Sequence, residues 1–232
     1  MLPEIEMPIT MRLKFVKVGN LQYISHLDLQ RTFNRVLVRS GLPIWYTKGF
    51  NPHVKLVFST PLSVGTQSEC EFLDIKLDRA LSCDIVMEKL NAELTDEMYI
   101  TEAYIPDTKF ADIAFCEYRY ELSLENCSEA LAGNIEKLLT TSPLTLTKKT
   151  KSGEKDIDII SLINSVSAKY LSDKGTIAIS AILSAGSDNF LNPEMLVTAM
   201  KTKLAVLVGD PSKEWYTITR TRSLKADMTD FR

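Results

Sequence analysis

Between Met11 and Ile105 the spacing of apolar residues changes period several times, and the order of those changes limits the fold more than any other feature. Met11 to Val18 alternates, with Leu13, Phe15 and Val18 toward one side and Arg12, Lys14 and Lys17 nearer the other. That pattern predicts a half-buried strand ending at Gly19-Asn20. Ser25 stands where a helix N-cap is expected, with Asp28 three residues on. The helix after it carries Leu29, Phe33, Val36 and Leu37 as an apolar stripe and stops at Ser40-Gly41. Strand-like runs at Pro43 to Thr47 and Lys55 to Thr60 flank Lys48-Gly49-Phe50-Asn51-Pro52-His53, which is turn chemistry throughout. Pro61 to Ser68 is irregular. Glu69 to Leu77 alternates as a strand, Ser82 caps a helix through Leu94, and Met98 to Ile105 closes as a strand.

Strand, helix, strand, strand, helix, strand is the order of the split βαβ, or ferredoxin-like, unit. The second half follows the same plan. Strands are predicted at Phe115 to Leu124, Leu144 to Lys149, Thr176 to Leu183 and Trp215 to Arg222. Helices are marked by Leu131, Ile135, Leu138 and Leu139, and by Asn192-Pro193-Glu194 followed by Leu196, Ala199 and Met200. Asp156 to Tyr170 reads as strand then helix, an insertion in the plan. The expected fold class is therefore α+β: two tandem ferredoxin-like units with antiparallel sheets, over residues 10–108 and 113–225. No residue-level repeat joins the halves.

Charge is segregated within a near-neutral whole. From Arg12 to Pro61 the bases are Arg12, Lys14, Lys17, Arg31, Arg35, Arg39, Lys48 and Lys55, against Asp28 as the one acid. From Leu62 to Asp107 eleven acids face Lys76, Arg79 and Lys89, so local fields matter more for partners than the net charge of −3. Met1 to Glu6 holds two acids and no basic cluster, and no apolar run is long enough to span a bilayer. A cytoplasmic protein with no membrane partner is expected. Cys70, Cys83, Cys116 and Cys127 show neither zinc nor iron–sulfur spacing and read as small buried hydrophobes.

Arg31, Arg35 and Arg39 fall at four-residue spacing on one ridge, opposite the apolar stripe. Such a row suits phosphates along a nucleic-acid strand, or it is a solvated face that pairs with the acidic block. Phe50, in its turn, is either a stacking platform for a base or a plug for the core. His26 and His53 are the two histidines, and they form a proton-transfer site if the fold brings them together. Asp156 and Asp158 read as solvated turn carboxylates, or as a cation-binding pair if on a strand. Lys148, Lys149, Lys151 and Lys155 around Gly153 read as a hairpin tip, and Arg220 and Arg222 as polar-face residues or a second anion contact. No metal site and no cofactor are expected. The absence of a Gly-x-Gly-x-x-Gly, Walker, His-Glu-x-x-His or Gly-x-Ser-x-Gly motif weighs against a self-contained enzyme of the common classes.

Arg12-x-x-Phe15-x-Lys17-x-Gly19, Tyr23-Ile24-Ser25-His26-Leu27-Asp28-x-x-Arg31, Gly49-Phe50-Asn51-Pro52-His53 and Pro61-Leu62-x-x-Gly65-x-x-Ser68-x-x-Glu71 together resemble the bacterial radical SAM-linked protein family. The resemblance is specific over residues 10 to 77 and loose afterward. It implies a stand-alone accessory domain that works with a radical SAM enzyme, with Ser25, His26, Asp28, Gly49, Pro52, Gly65 and Glu71 as motif residues. In strand order alone the chain is also similar to tandem ferredoxin-like RNA-binding proteins of the CRISPR repeat-processing superfamily, which says little about function. The expected function is RNA binding through Arg12, Arg31, Arg35, Arg39, Lys48, Phe50, His53 and Lys55. The alternatives are a protein module that docks the radical SAM partner, and an enzyme using His26 and His53.

Overall fold

A computed structural model describes residues 8–150 and 153–232, with 148–150, 154 and 155 described as backbone alone. The opening Met1 to Glu6 and Lys151 lie outside the described residues, as do the side chains of Lys148, Lys149 and Lys155. The chain is α+β and divides into two compact units. One runs to Phe110 and takes in Arg232, and the other is Ala111–Phe231.

In the first unit, strands β1 (Ile9–Lys17), β2 (Val57–Phe58), β3 (Thr66–Leu77) and β4 (Met98–Tyr104) alternate with helices α1 (His26–Arg39) and α2 (Cys83–Asn91). Their order across the sheet is β4-β1-β3-β2, each neighbour antiparallel to the next. The last strand thus lies beside the first, and the third separates the first from the second. Met11, Leu13 and Phe15 of β1 pack with Leu29, Phe33, Val36 and Leu37 of α1, with Leu73 and Ile75 of β3 and with Val86 and Leu90 of α2. Phe15, Phe33 and Phe58 meet edge to face, Phe15 and Phe33 with ring centres 4.9 Å apart. Each such contact adds about 1 kcal/mol beyond simple burial.

Several local expectations change. A bulge between Phe15 and Lys17 breaks the alternation of β1, so that Lys17 is buried rather than solvent-facing and Val18 is only half-buried. Pro43 to Thr47 is not a strand; it touches the sheet through the single bridge Ile44 to Leu77, while the bridge Tyr46 to Val54 lies across the base of the following loop. The run at Lys55 to Thr60 shortens to Val57–Phe58. Helix α2 ends at Asn91, whose side-chain amide is taken up by both backbone groups of Ile100.

The second unit contains β5 (Phe115–Ser123), α3 (Glu129–Thr140), β6 (Thr145–Thr150), β7 (Gly153–Asp158), β8 (Ile163–Leu171), β9 (Thr176–Ser184), α4 (Glu194–Leu204) and β10 (Trp215–Leu224). Its sheet order is β10-β5-β9-β8, again antiparallel throughout, while β6 and β7 form a separate hairpin. The inserted piece is therefore Leu144 to Asp158, and the expected helix before Tyr170 is strand β8. The reason is visible in its burial: half-buried Val166, Ala168 and Tyr170 alternate with exposed Ser165, Ser167 and Lys169, a period of two.

Candidate functional site

Helix α1 begins at Ser25, whose hydroxyl accepts from the Asp28 amide at 3.2 Å and donates to the Asp28 carboxylate at 2.7 Å. Gly41, with φ +65°, ends it in the left-handed conformation that lets the chain turn away. With the stripe from Leu29 to Leu37 buried, Arg31, Arg35 and Arg39 stand in solvent on the other side. Arg31 pairs with Asp28 at 3.2 Å and Arg39 with Glu93 at 2.7 Å, both largely exposed pairs. Arg35 has no carboxylate partner among the described residues. The Ser25 hydroxyl and the Arg31 guanidinium hold the Asp28 carboxyl below its ordinary value.

The Lys48–His53 loop is closed by its own hydrogen bonds. The Thr47 amide donates to the His53 carbonyl at 2.9 Å, and the His53 amide returns to the Thr47 hydroxyl at 3.0 Å. His53 Nδ1 lies 3.0 Å from that hydroxyl and 3.1 Å from the Asn51 carbonyl. A carbonyl only accepts, so the contact to Asn51 is a hydrogen bond in the tautomer that carries its proton on Nδ1. Gly49, at φ +136°, provides the sharp turn before Phe50. Phe50 is fully exposed and does not fold back into the core, and Lys48, Pro52 and Lys55 are exposed as well. Past the loop, His53, Val54, Lys55 and Leu56 face Gln30 and Asn34 of α1 across a cleft of about 260 Å³. The end of the loop and the Gln30–Asn34 face of α1 therefore share one cleft.

A second cleft gathers most of the remaining motif residues. Lys17, Ser25, His26, Phe58, Pro61, Leu62 and Glu71 line a space of about 10 Å³, room for about one water molecule. Lys17 and Glu71 are 3% and 5% exposed, an unusual pair of ionisable side chains to find buried at a cleft. The Lys17 ammonium donates to the Leu21 and Thr66 carbonyls, each at 3.2 Å. His26 rests edge-on against Phe58 with ring centres 5.1 Å apart. Gly65, at φ +88°, donates its amide to the Gln22 carbonyl and folds the Pro61–Gly65 loop back toward the start of α1.

Not every expected residue reaches these clefts. Arg12 is 1% exposed and belongs to no cation surface. It stands opposite Asp74 across β1 and β3, grips that carboxylate at 2.7 and 2.9 Å, donates to Thr108 and lies 4.2 Å from the Phe110 ring centre. His26 and His53 line different clefts, and no hydrogen bond among the described residues links them. Asp156 and Asp158 lie on a strand, not in a turn, but each is used within the fold. Asp156 accepts from Thr147, and Asp158 accepts from the Leu144 and Ile160 amides, which holds its carboxyl low. Arg220 is buried against the Tyr118 hydroxyl, and Arg222 pairs with Asp230. No group of three or more His, Cys, Asp or Glu among the described residues is arranged to hold a metal ion. Cys70 and Cys116 are buried and Cys83 and Cys127 half-buried, all as free thiols. Gln30 and Asn34 were not singled out from sequence, and the loop closure puts them at their cleft; Lys17, a motif residue expected nearer the solvent side of β1, is carried into the other cleft by the bulge.

Residues 10–193 match the family described as "Uncharacterized protein conserved in bacteria (DUF2344)". The chain belongs to this family. The match takes in both clefts, all of the first unit's strands from β2 onward, and the second unit as far as the start of α4. No curated protein matches the chain. Among solved structures it is similar to a chain of "Crystal Structure of a Cbf5-Nop10-Gar1 Complex", with 9% identity and a TM-score of 0.48 over 92% of this chain and 48% of the other. The chain thus spans about half the length of that protein. A likeness to DyPB from Rhodococcus jostii RHA1 has 10% identity, a TM-score of 0.19 and 94% coverage of each chain. Likenesses at these scores carry nothing about function. Among the described residues no helix is long and apolar enough to cross a membrane.

Proposed function

We propose that the chain is a cytoplasmic accessory protein of a radical SAM enzyme, built as two ferredoxin-like units in tandem, which binds structured RNA through the first unit. The observation that supports this reading is the set of solvent-exposed cations on α1 and the Lys48–Lys55 loop: Arg35, Lys48 and Lys55 have no carboxylate partner among the described residues, and Arg31 and Arg39 sit in largely exposed pairs. Pairs of that kind contribute about 1 kcal/mol or less and exchange readily for a phosphate. The link to a radical SAM enzyme rests on the motif resemblance over residues 10 to 77. Equilibrium binding to transfer or ribosomal RNA tests the reading. Affinity should fall steeply as salt rises from about 50 to 200 mM, and the Arg31/Arg35/Arg39 alanine triple should lose it. Absent or salt-insensitive binding rejects it.

A second reading has its own support. Tyr23, Leu27 and Val64 are exposed apolar residues on the same segments that build the motif cleft. Exposed apolar residues on these segments suit a protein partner, here the radical SAM enzyme itself. Co-purification with that enzyme that survives nuclease treatment, and is lost in Leu27→Asp, would favour docking over RNA binding.

A further inference from the structure

Phosphate contact uses the arginine ridge and the lysines, yet the cleft beside them is lined by chemistry of another kind. We propose that the cleft between α1 and His53–Leu56 takes one unpaired nucleobase, so that the strand held on this surface is single-stranded RNA, a loop or an end. The proposal rests on the RNA-binding reading and gives it a substrate class.

Size is the first argument. Clefts for whole small-molecule ligands run from about 300 to 1,000 Å³. At about 260 Å³ this one admits a single ring system rather than a complete cofactor. Its lining is the second. A base needs an apolar surface for its face and amide-like groups for its edge. Val54 is buried and Leu56 half-buried, and they supply the first. Gln30 and Asn34, one helical turn apart on α1, supply the second. Asn34 Nδ2 donates to the Gln30 carbonyl at 3.0 Å, which fixes the amide and leaves its oxygen free to accept. His53 adds a ring at the same cleft, its Nδ1 occupied by Thr47 and Asn51. Lys55 stands at the same cleft for the backbone charge.

Phe50 is the third argument. It lies three residues from His53, so their Cα atoms are within about 11 Å. Its ring is wholly in solvent on a loop closed by hydrogen bonds, which orders the backbone on either side of it. An aromatic held that way is a platform for the base next to the one in the cleft. In duplex RNA the base edges are recessed and paired, and neither the cleft nor Phe50 has anything to grip.

The experiment is fluorescence anisotropy with an end-labelled oligoribonucleotide of about 12 nucleotides, alone and annealed to its complement, at one salt concentration. The single strand should bind at least about tenfold more tightly than the duplex. Gln30→Leu with Asn34→Leu should abolish that preference while leaving the salt dependence in place. Phe50→Ala, which removes a side chain that makes no contact with the core, should weaken single-strand binding about tenfold. A mononucleotide such as adenosine monophosphate should compete only at far higher concentration. Equal affinity for strand and duplex, an unchanged preference in the double variant, or competition by the mononucleotide at the oligomer's own concentration would overturn the proposal while leaving RNA binding standing. No binding of either oligonucleotide would overturn the proposal too, and only its combination with absent binding of transfer and ribosomal RNA would remove the RNA-binding reading as well.

Discussion

Strand β1 and helix α1 each carry three cations within a few residues of one another, and the fold treats them in opposite ways. On β1, Arg12 is sealed against Asp74, Lys14 pairs with Glu102 at 2.9 Å, and Lys17 is buried on two carbonyls. On α1, all three arginines stay in solvent. The cause is geometric. A strand's side chains lie beside those of its neighbours, and β3 and β4 bring Asp74 and Glu102 directly across from Arg12 and Lys14. A helix with one face in the core turns its opposite ridge toward solvent, and on α1 Arg39, at the end of the ridge, still reaches Glu93 just past α2. Asp74 and Glu102 of the acidic block are thus the counter-charge of β1, Glu93 pairs with Arg39 of α1, and the cations that stand in solvent are those of α1 and the Lys48–Lys55 loop.

The largest expected effect tests the buried half of this contrast. Arg12→Ala leaves the Asp74 carboxylate without its bidentate partner and should destabilise the protein by about 3–5 kcal/mol, read as a fall in the denaturant midpoint. Arg12→Met, paired with Asp74→Leu, should cost clearly less, because both charges leave together. A neutral Arg12→Ala would erase the distinction between strand and helix cations. The exposed half predicts the reverse. Replacing Arg31, Arg35 and Arg39 by alanine should change stability by about 1 kcal/mol or less while RNA affinity drops at least about tenfold at low salt.

Smaller effects sharpen the picture at the start of α1. Ser25→Ala removes the N-cap and should cost about 1 kcal/mol, measured by thermal unfolding. The Asp28 carboxyl is held below its ordinary value, chiefly by the Ser25 hydroxyl and then by Arg31. A depressed carboxyl stabilises the fold above its unfolded value and loses that contribution as pH falls through its folded value. Asp28 should therefore titrate late in a carboxyl NMR experiment. Its midpoint should rise further in Ser25→Ala than in Arg31→Ala, and the opposite order would mean that the arginine is committed to Asp28 rather than available.

How much of this was readable in the chain follows from the range of the interactions. The stripe of α1, its Ser25 cap and the Gly41 stop are local, and the helix is found where they put it. The fate of Arg12 is not local: its partner lies 62 residues away, and only the β1–β3 register brings them face to face. Pro43 to Thr47 has strand composition but meets the sheet through the single bridge Ile44 to Leu77. Asp156 to Tyr170 was opaque because Asp158 ends one strand by binding two amides, a role that no local pattern encodes. At the site, the motif residues could be named but not assembled. Gln30 and Asn34 carry no signal at all on a polar helix face until the Thr47–His53 closure sets a loop against them.

The contrast between the two sets of cations meets its most direct test in the salt dependence of RNA binding, compared between Arg35→Ala and Arg12→Met. Each phosphate contact removed should lower the slope of log affinity against log salt by about 0.7 to 0.9. The account predicts that loss for Arg35→Ala and an unchanged slope for Arg12→Met. A slope that falls with Arg12→Met and holds with Arg35→Ala would contradict it.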